Sequence, residues 1–371
     1  MSSNFLIRLT SKVWPIIIIL SLVLSGCQSK VQPSAQAPVE PTQQPLKIAF
    51  AHTGPITDEG WTWSHDQGMK AIEAAFPNVE TVYVESMPYS EDATRILEQF
   101  VADGAKMVFV TSGYADFLYK VVEAHPDVAF LECGSGGTGY PNLVQYAIDN
   151  YDPAYLIGMA AGLVTKTNKL GYVGAFPGYY TDINAFTLGA QSVNPDVTMT
   201  PVYVNSWFDP SAETQAANAL IDSKVDVLYG IMDDPAYLKV AEERGVWAAM
   251  WNTDVRKYGP HAYISSVLLY WNDFYVKEVQ AYLDGTWKGG RIVYLPIGQG
   301  VDRDAWGENV PLDVQQQVDA VREKMLKEDF NPFSGPIKDA NGEVRIPAGE
   351  TMTDDYIRFQ WDWAVQGVIE K

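Results

Sequence analysis

The feature that most constrains this chain is a rhythm. From Lys47 onward, short runs of consecutive apolar residues alternate with stretches whose apolar residues recur at helical spacing. A strand apolar on successive positions is covered on both faces, the mark of a parallel sheet flanked by helices. Strands are predicted over residues 47–52, 81–85, 106–111, 128–133 and 143–148, with helices over 61–76, 90–102, 114–124 and 153–165. The rhythm then restarts, with strands over 169–176, 199–205, 225–231 and 246–252 and helices over 181–193, 211–222 and 235–244. A tail follows: a strand over 263–268, a helix over 271–284, a Gly-rich hairpin region over 285–300 and a final helix or two. The prediction is an α/β protein of two doubly wound parallel-sheet lobes joined by a hinge. Residues 46–150 plus about 262–295 make the first lobe, and 151–261 plus about 296–371 the second.

Composition narrows the chemistry. Forty-six acidic residues against 26 basic ones give a net charge of −20 without a Lys/Arg cluster, which argues against a nucleic-acid partner. The two cysteines support neither a disulfide framework nor a four-ligand zinc site. His52, His65, His125 and His261 form no close ligand pair, and there is no phosphate-cradling G-x-x-x-x-G-K-[ST] loop or G-x-S-x-G elbow. The glycine-rich run from Gly134 to Gly139 lacks dinucleotide-binding spacing and is followed by Pro141. No catalytic constellation, metal site or cofactor is expected. The reading is a binding protein, not an enzyme.

Residues 1–26 have the form of a signal peptide: Arg8 and Lys12, then an apolar stretch from Val13 to Leu24 too short to span a bilayer of about 30 Å. The run Leu24-Ser25-Gly26-Cys27 resembles a bacterial lipobox, which implies cleavage before Cys27 and its lipidation. Several acyl chains would anchor the chain stably in a lipid bilayer. Residues 27–45, rich in Pro, Gln and Ala, cannot bury a core and read as a tether. The protein is therefore expected in the cell envelope, facing the periplasm or exterior. Cys133, at the end of the apolar run VAFLEC, reads as a buried thiol.

In doubly wound sheets ligands sit beyond the carboxyl ends of the strands, so the loops at 53–61, 112–114, 176–184, 232–235 and 252–254 converge on the cleft between lobes. They carry aromatic faces (Trp61, Trp63, Tyr114, Phe176, Tyr179, Tyr180, Trp251 and, nearby, Trp271) beside Asp58, Asn184, Asp233, Asp234, Asn252 and Asp254. Flat apolar surfaces with in-plane carboxylates and amides suit a small planar ligand. The candidate ligand-binding set is Trp61, Trp63, Asp58, Tyr114, Phe176, Asn184, Asp234, Asn252, Asp254 and Trp271. Asp234-Pro235 reads equally as a helix cap with proline at the first turn.

These residues bring a family into view. Asp58-Glu59-Gly60-Trp61 with Gly68 resembles the opening ligand loop of the basic membrane lipoprotein (BMP) family. The resemblance continues through Ser112-Gly113-Tyr114-Ala115-Asp116, Ala160–Thr167, Gly171–Gly174, Asn184-Ala185-Phe186, Glu243–Trp247 and Leu283–Gly290. It implies a periplasmic-binding-type substrate-binding lipoprotein that closes its lobes on a purine nucleoside or base and delivers it to an ABC permease and ATPase. The same fold also serves ligand-sensing receptors. Where nucleoside-binding members carry Asn, Asp, a second Asp and a Lys, this chain has Thr62, Trp63, Asn252 (although Asp254 remains on that loop) and Leu268 or Leu269. Those departures remove ribose hooks and add stacking surface. The expected ligand is an adenine-like base, held by Trp61 and Trp63 with Asn184, Asp234 and Asn252 on its edge. Nucleosides and sugars are the alternatives.

Overall fold

The computed structural model describes residues 45–134 and 139–370. Cys27, the leader and all but the last residue of the tether lie outside the described residues.

Among the described residues two six-stranded sheets form. The first contains β1 (Leu46–Ala51), β2 (Val79–Val84), β3 (Met107–Val110), β4 (Ala129–Cys133) and β5 (Leu143–Ile148), interleaved with α1 (Trp61–Ala75), α2 (Glu91–Ala102) and α3 (Asp116–Ala124). The chain crosses at Asp149-Asn150 into α4 (Tyr151–Val164). The second sheet is built from β6 (Lys169–Gly174), β7 (Thr198–Tyr203), β8 (Val227–Ile231) and β9 (Trp247–Asn252), with α5 (Tyr180–Val193), α6 (Pro210–Asp222) and α7 (Ala236–Arg244). It is extended by β10 (Tyr263–Leu269). The chain returns to the first lobe for α8 (Asn272–Leu283) and β11 (Arg291–Leu295), then crosses back for β12 (Val301–Arg303) and α9 (Leu312–Met325). A C-terminal strap follows, with β13 (Ile337–Lys338), β14 (Val344–Ile346) and α10 (Asp354–Phe359).

The sheet orders are β11-β5-β4-β3-β1-β2 and β12-β10-β9-β8-β6-β7, parallel throughout except for β12, which runs antiparallel to β10. Two expectations are corrected here. Residues 263–269 belong to the second sheet, not the first, because β10 pairs with β9 on one side and β12 on the other. The 285–300 region is no hairpin either: β11 joins β5 and β12 joins β10, so the two strands part into different sheets.

The apolar runs are double-sided in the way their composition requires. On β1, Ile48 and Phe50 enter a central core while Ala49 and Ala51 face the opposite one. On β3, Met107 and Phe109 divide from Val108 and Val110 in the same way. Helices α4 and α5 pack backbone to backbone, and glycine is what permits it. A Cβ on Gly189 would stand 2.0 Å from the Tyr155 carbonyl oxygen, and one on Gly158 would stand 2.1 Å from that of Phe186.

Candidate functional site

The carboxyl ends of the strands from both lobes face one cavity of about 960 Å³. The first lobe contributes Asp58 and Trp61 after β1, Tyr89 after β2, Ser112 after β3 and Asn150 after β5. The second lobe contributes Phe176, Tyr179 and Asp182 after β6, Trp207 and Phe208 after β7, Asp233 after β8, and Trp251 at the end of β9. Its size is at the upper end of ordinary small-molecule sites.

Trp61 is fixed by its own chemistry. Asp58 accepts the amide N–H groups of Gly60, Thr62 and Trp63 at 2.8–2.9 Å, so its carboxylate caps the first turn of α1. The Trp61 indole N–H then donates to the Thr111 carbonyl at 2.8 Å, which locks the ring. Its face lies against Trp251 of the other lobe, with centroids 5.8 Å apart and planes 21° from parallel. A ring inserted between two others needs about 7 Å, twice the contact distance of carbon atoms. Trp61 and Trp251 therefore form one cross-lobe wall, not the two jaws of a sandwich. Phe176 and Tyr179 each pack edge-on against Trp207, and Tyr89 stacks on Tyr114 at 4.3 Å.

Carboxylates supply the polarity. Burial raises Asp182 to about 7 against hydrogen bonds from Asn150 and Tyr229 that lower it. Asp233 is raised to about 7 by burial and by the charge of Asp58, opposed by the Asn252 side chain and the Trp61 amide. Burial also raises Asp58, against the three amides it accepts. No lysine or arginine is among the described residues that line the cavity. Nor do the described residues contain a cluster of three or more His, Cys, Asp or Glu able to hold a metal ion.

Of the residues singled out from sequence, Asp58, Trp61 and Phe176 line this cavity. The other seven do not. Trp63 sits two residues beyond Trp61 on the same helix and is 38% exposed. Tyr114 is buried, its hydroxyl donating to the Met87 carbonyl. Asn184 spends its amide on the strap, donating to the Trp363 carbonyl at 2.8 Å and accepting the Val365 N–H at 3.0 Å. Asp234 accepts the Ala236 N–H at the start of α7 and faces Glu213, whose carboxyl is pushed up to about 11 by burial and by that neighbour. Asn252 donates to Asp233 at 2.8 Å and so acts behind the wall. Asp254 pairs with Arg256 at 2.8 Å on the surface. Trp271 is fully buried, donates to Ser64 and stacks on His65 at 4.3 Å. The residues reasoning from sequence passed over are Asn150, Asp182, Trp207 and Tyr89. Asn150, Trp207 and Tyr89 lie in loops that follow strand carboxyl ends and Asp182 lies in the first turn of α5 beyond such a loop, and that position was their signal.

The lobes touch beside the wall. Lys257 reaches Glu59 at 2.9 Å, and the Thr253 hydroxyl donates to the Glu59 carbonyl. Two α/β lobes linked by three crossings, with an aromatic, acidic cavity between them, define a two-lobed solute-binding protein. The chain belongs to the Bmp family, the PnrA-like substrate-binding proteins of ABC transporters, whose pattern matches residues 46–331. It is 36% identical over 333 residues to a purine-binding protein of Brucella abortus (strain 2308), covering 89% of this chain and 94% of that one. It is also 36% identical over 298 residues to a putative ABC transporter glucose-binding protein of Haloferax volcanii, covering 78% and 74%. A solved ABC transporter solute-binding protein from Aeropyrum pernix K1 shares the fold, with a TM-score of 0.67 over 80% of this chain and 93% of that one at 17% identity. The family and these relatives are solute-binding proteins and not enzymes.

Proposed function

We propose that this substrate-binding protein captures an uncharged planar base of the adenine type in the interlobe cavity and passes it to an ABC permease and ATPase. One observation carries the reading: aromatic faces and buried carboxylates meet there with no cation among the described lining residues. Stacking suits a flat heterocycle, and carboxylates accept from its ring N–H and amino groups. A phosphorylated ligand would bring like charge into an acidic cavity without a counter-ion. The purine-binding relative supports the choice, with Trp61 and Trp251 as the stacking wall in place of the Trp61–Trp63 pair. Asp182 takes the edge role first given to Asn184. Lipidation at Cys27 would hold the protein on the outer face of a membrane.

The glucose-binding relative of equal identity favours a second reading, because aromatic faces also stack on pyranose rings. Thermal unfolding against adenine, adenosine and glucose separates them. A ligand at a hundred times its Kd adds about 2.7 kcal/mol. The melting point should rise with adenine and stay put with the other two; a shift with glucose alone would replace the base by a sugar.

A further inference from the structure

The strap beyond residue 331 lies outside the family match, yet it reaches the hinge. From the second lobe, Asn184 and Gln191 hold it through the backbone of Trp363, Val365 and Gln366. It then presents Arg358 of α10 to Asp149, the first residue of the β5–α4 crossing. The guanidinium grips both carboxylate oxygens of Asp149, with side chains only 14% and 3% exposed. Its plane lies 3.7 Å over the ring of Tyr294 on β11, close to a second crossing. The amide of Asp149 donates to the Leu295 carbonyl, so this crossing is held from both sides.

The residue after Asp149 lines the cavity. Asn150 donates from Nδ2 to Oδ1 of Asp182 at 2.7 Å, and Tyr229 donates to the same oxygen at 3.4 Å. That leaves Oδ2 of Asp182 without a side-chain donor among the described residues.

We propose that Arg358 is a positioning residue for the ligand site: by fixing Asp149 it aims Asn150 at Asp182, whose second oxygen is the cavity's acceptor for a ligand N–H or O–H. The acceptor role rests on the cavity being the binding site and holds for a base or a sugar. The groups around Asp182 are Asn150 at the hinge, Tyr229 on β8 and Tyr172 on β6. Burial raises both tyrosines far above neutral pH, so neither changes charge there.

The test uses the full chain with 13C-labelled aspartate. The Asp182 carboxyl, assigned by its loss in Asp182→Asn, should titrate near 7 in the wild type. Arg358→Met and Asn150→Ala should both raise that midpoint by about half a unit or more, since the first misaims and the second removes the donor that favours the ionised form. Arg358→Lys should hold it near the wild-type value. A midpoint unmoved in Arg358→Met while Asn150→Ala shifts would overturn the proposal. Where Arg358→Met does not fold, Asp149→Asn/Arg358→Met removes both charges together and is read in the same way. In the binding arm, Asp182→Asn should weaken adenine about tenfold or more, and equal affinity would overturn the acceptor role. A wild type that ignores adenine would sink the nucleobase reading alone; the titration decides the positioning role without any ligand.

Discussion

Gly60 packs against the backbone of Asp233 in the other lobe, beside the aromatic wall. A Cβ placed there would stand 2.8 Å from both the Cα and the carbonyl oxygen of Asp233, and 3.0 Å from its carbonyl carbon. Carbon atoms settle at about 3.5 Å, so Gly60→Ala demands several tenths of an ångström from backbone atoms that cannot rotate aside. Overpacking of this kind costs about 1–3 kcal/mol. The clash lies between lobes, so separating them relieves it, and the cost falls on the closed arrangement. Ligand affinity should drop about 5- to 150-fold, while the ligand-free melting point changes little. Calorimetric titration with adenine measures the first effect. A melting curve of the ligand-free protein checks the second, and small-angle scattering follows the separation of the lobes, with a larger radius of gyration expected for Gly60→Ala. Affinity within twofold of wild type together with superposable scattering would refute the argument, and the scattering arm stands whatever the ligand.

Other outcomes can be checked alongside. Trp251→Ala should weaken adenine binding about tenfold or more by removing half of the stacking wall, whereas Trp63→Ala should leave it within about twofold; equal losses would put Trp63 back in the site. Asp152, Asp182 and Asp233 are each raised from 3.8 to about 7, so the native state binds more protons than the unfolded chain between those values. Their contribution is fully present below about pH 4 and is lost as pH rises through 7, so Asp182→Asn should raise the melting point more at pH 8 than at pH 5. The reverse order in a pH series of melting curves would contradict the burial assigned to that carboxyl. Gly189→Ala should destabilise by about 3 kcal/mol or prevent folding, because the α4–α5 contact has no slack; a wild-type chemical denaturation midpoint would rule that out.

The sheets could be read because the central strands are apolar on both faces, and Ile48 with Phe50 against Ala49 with Ala51 shows why the runs are continuous. The strand-end loops followed from the same topology, and Asp58, Trp61 and Phe176 on them line the cavity. Side-chain aim was not legible. Successive helical residues turn by about 100°, so Trp61 and Trp63 on one helix point some 200° apart and cannot both face the cleft. Asp234 and Asn252 stand near strand ends and Asn184 lies in α5, yet their polar atoms are taken by a helix start, Asp233 and the strap. The strap itself has little periodicity to read. Its place depends on long-range bonds such as Arg358 to Asp149, about two hundred residues apart.

The Trp61–Trp251 contact makes the protein its own optical gauge. Two indoles stacked at 5.8 Å, one carried by each lobe, have coupled transition dipoles. Their joint signal in the near-ultraviolet circular dichroism exists only while the lobes hold that spacing. Parting them by a few ångströms uncouples the pair and exposes both rings to water, shifting emission to the red. The difference spectrum between wild type and Trp251→Phe isolates this pair from the other nine tryptophans. Domain movement in this transporter component can therefore be followed in real time without a label.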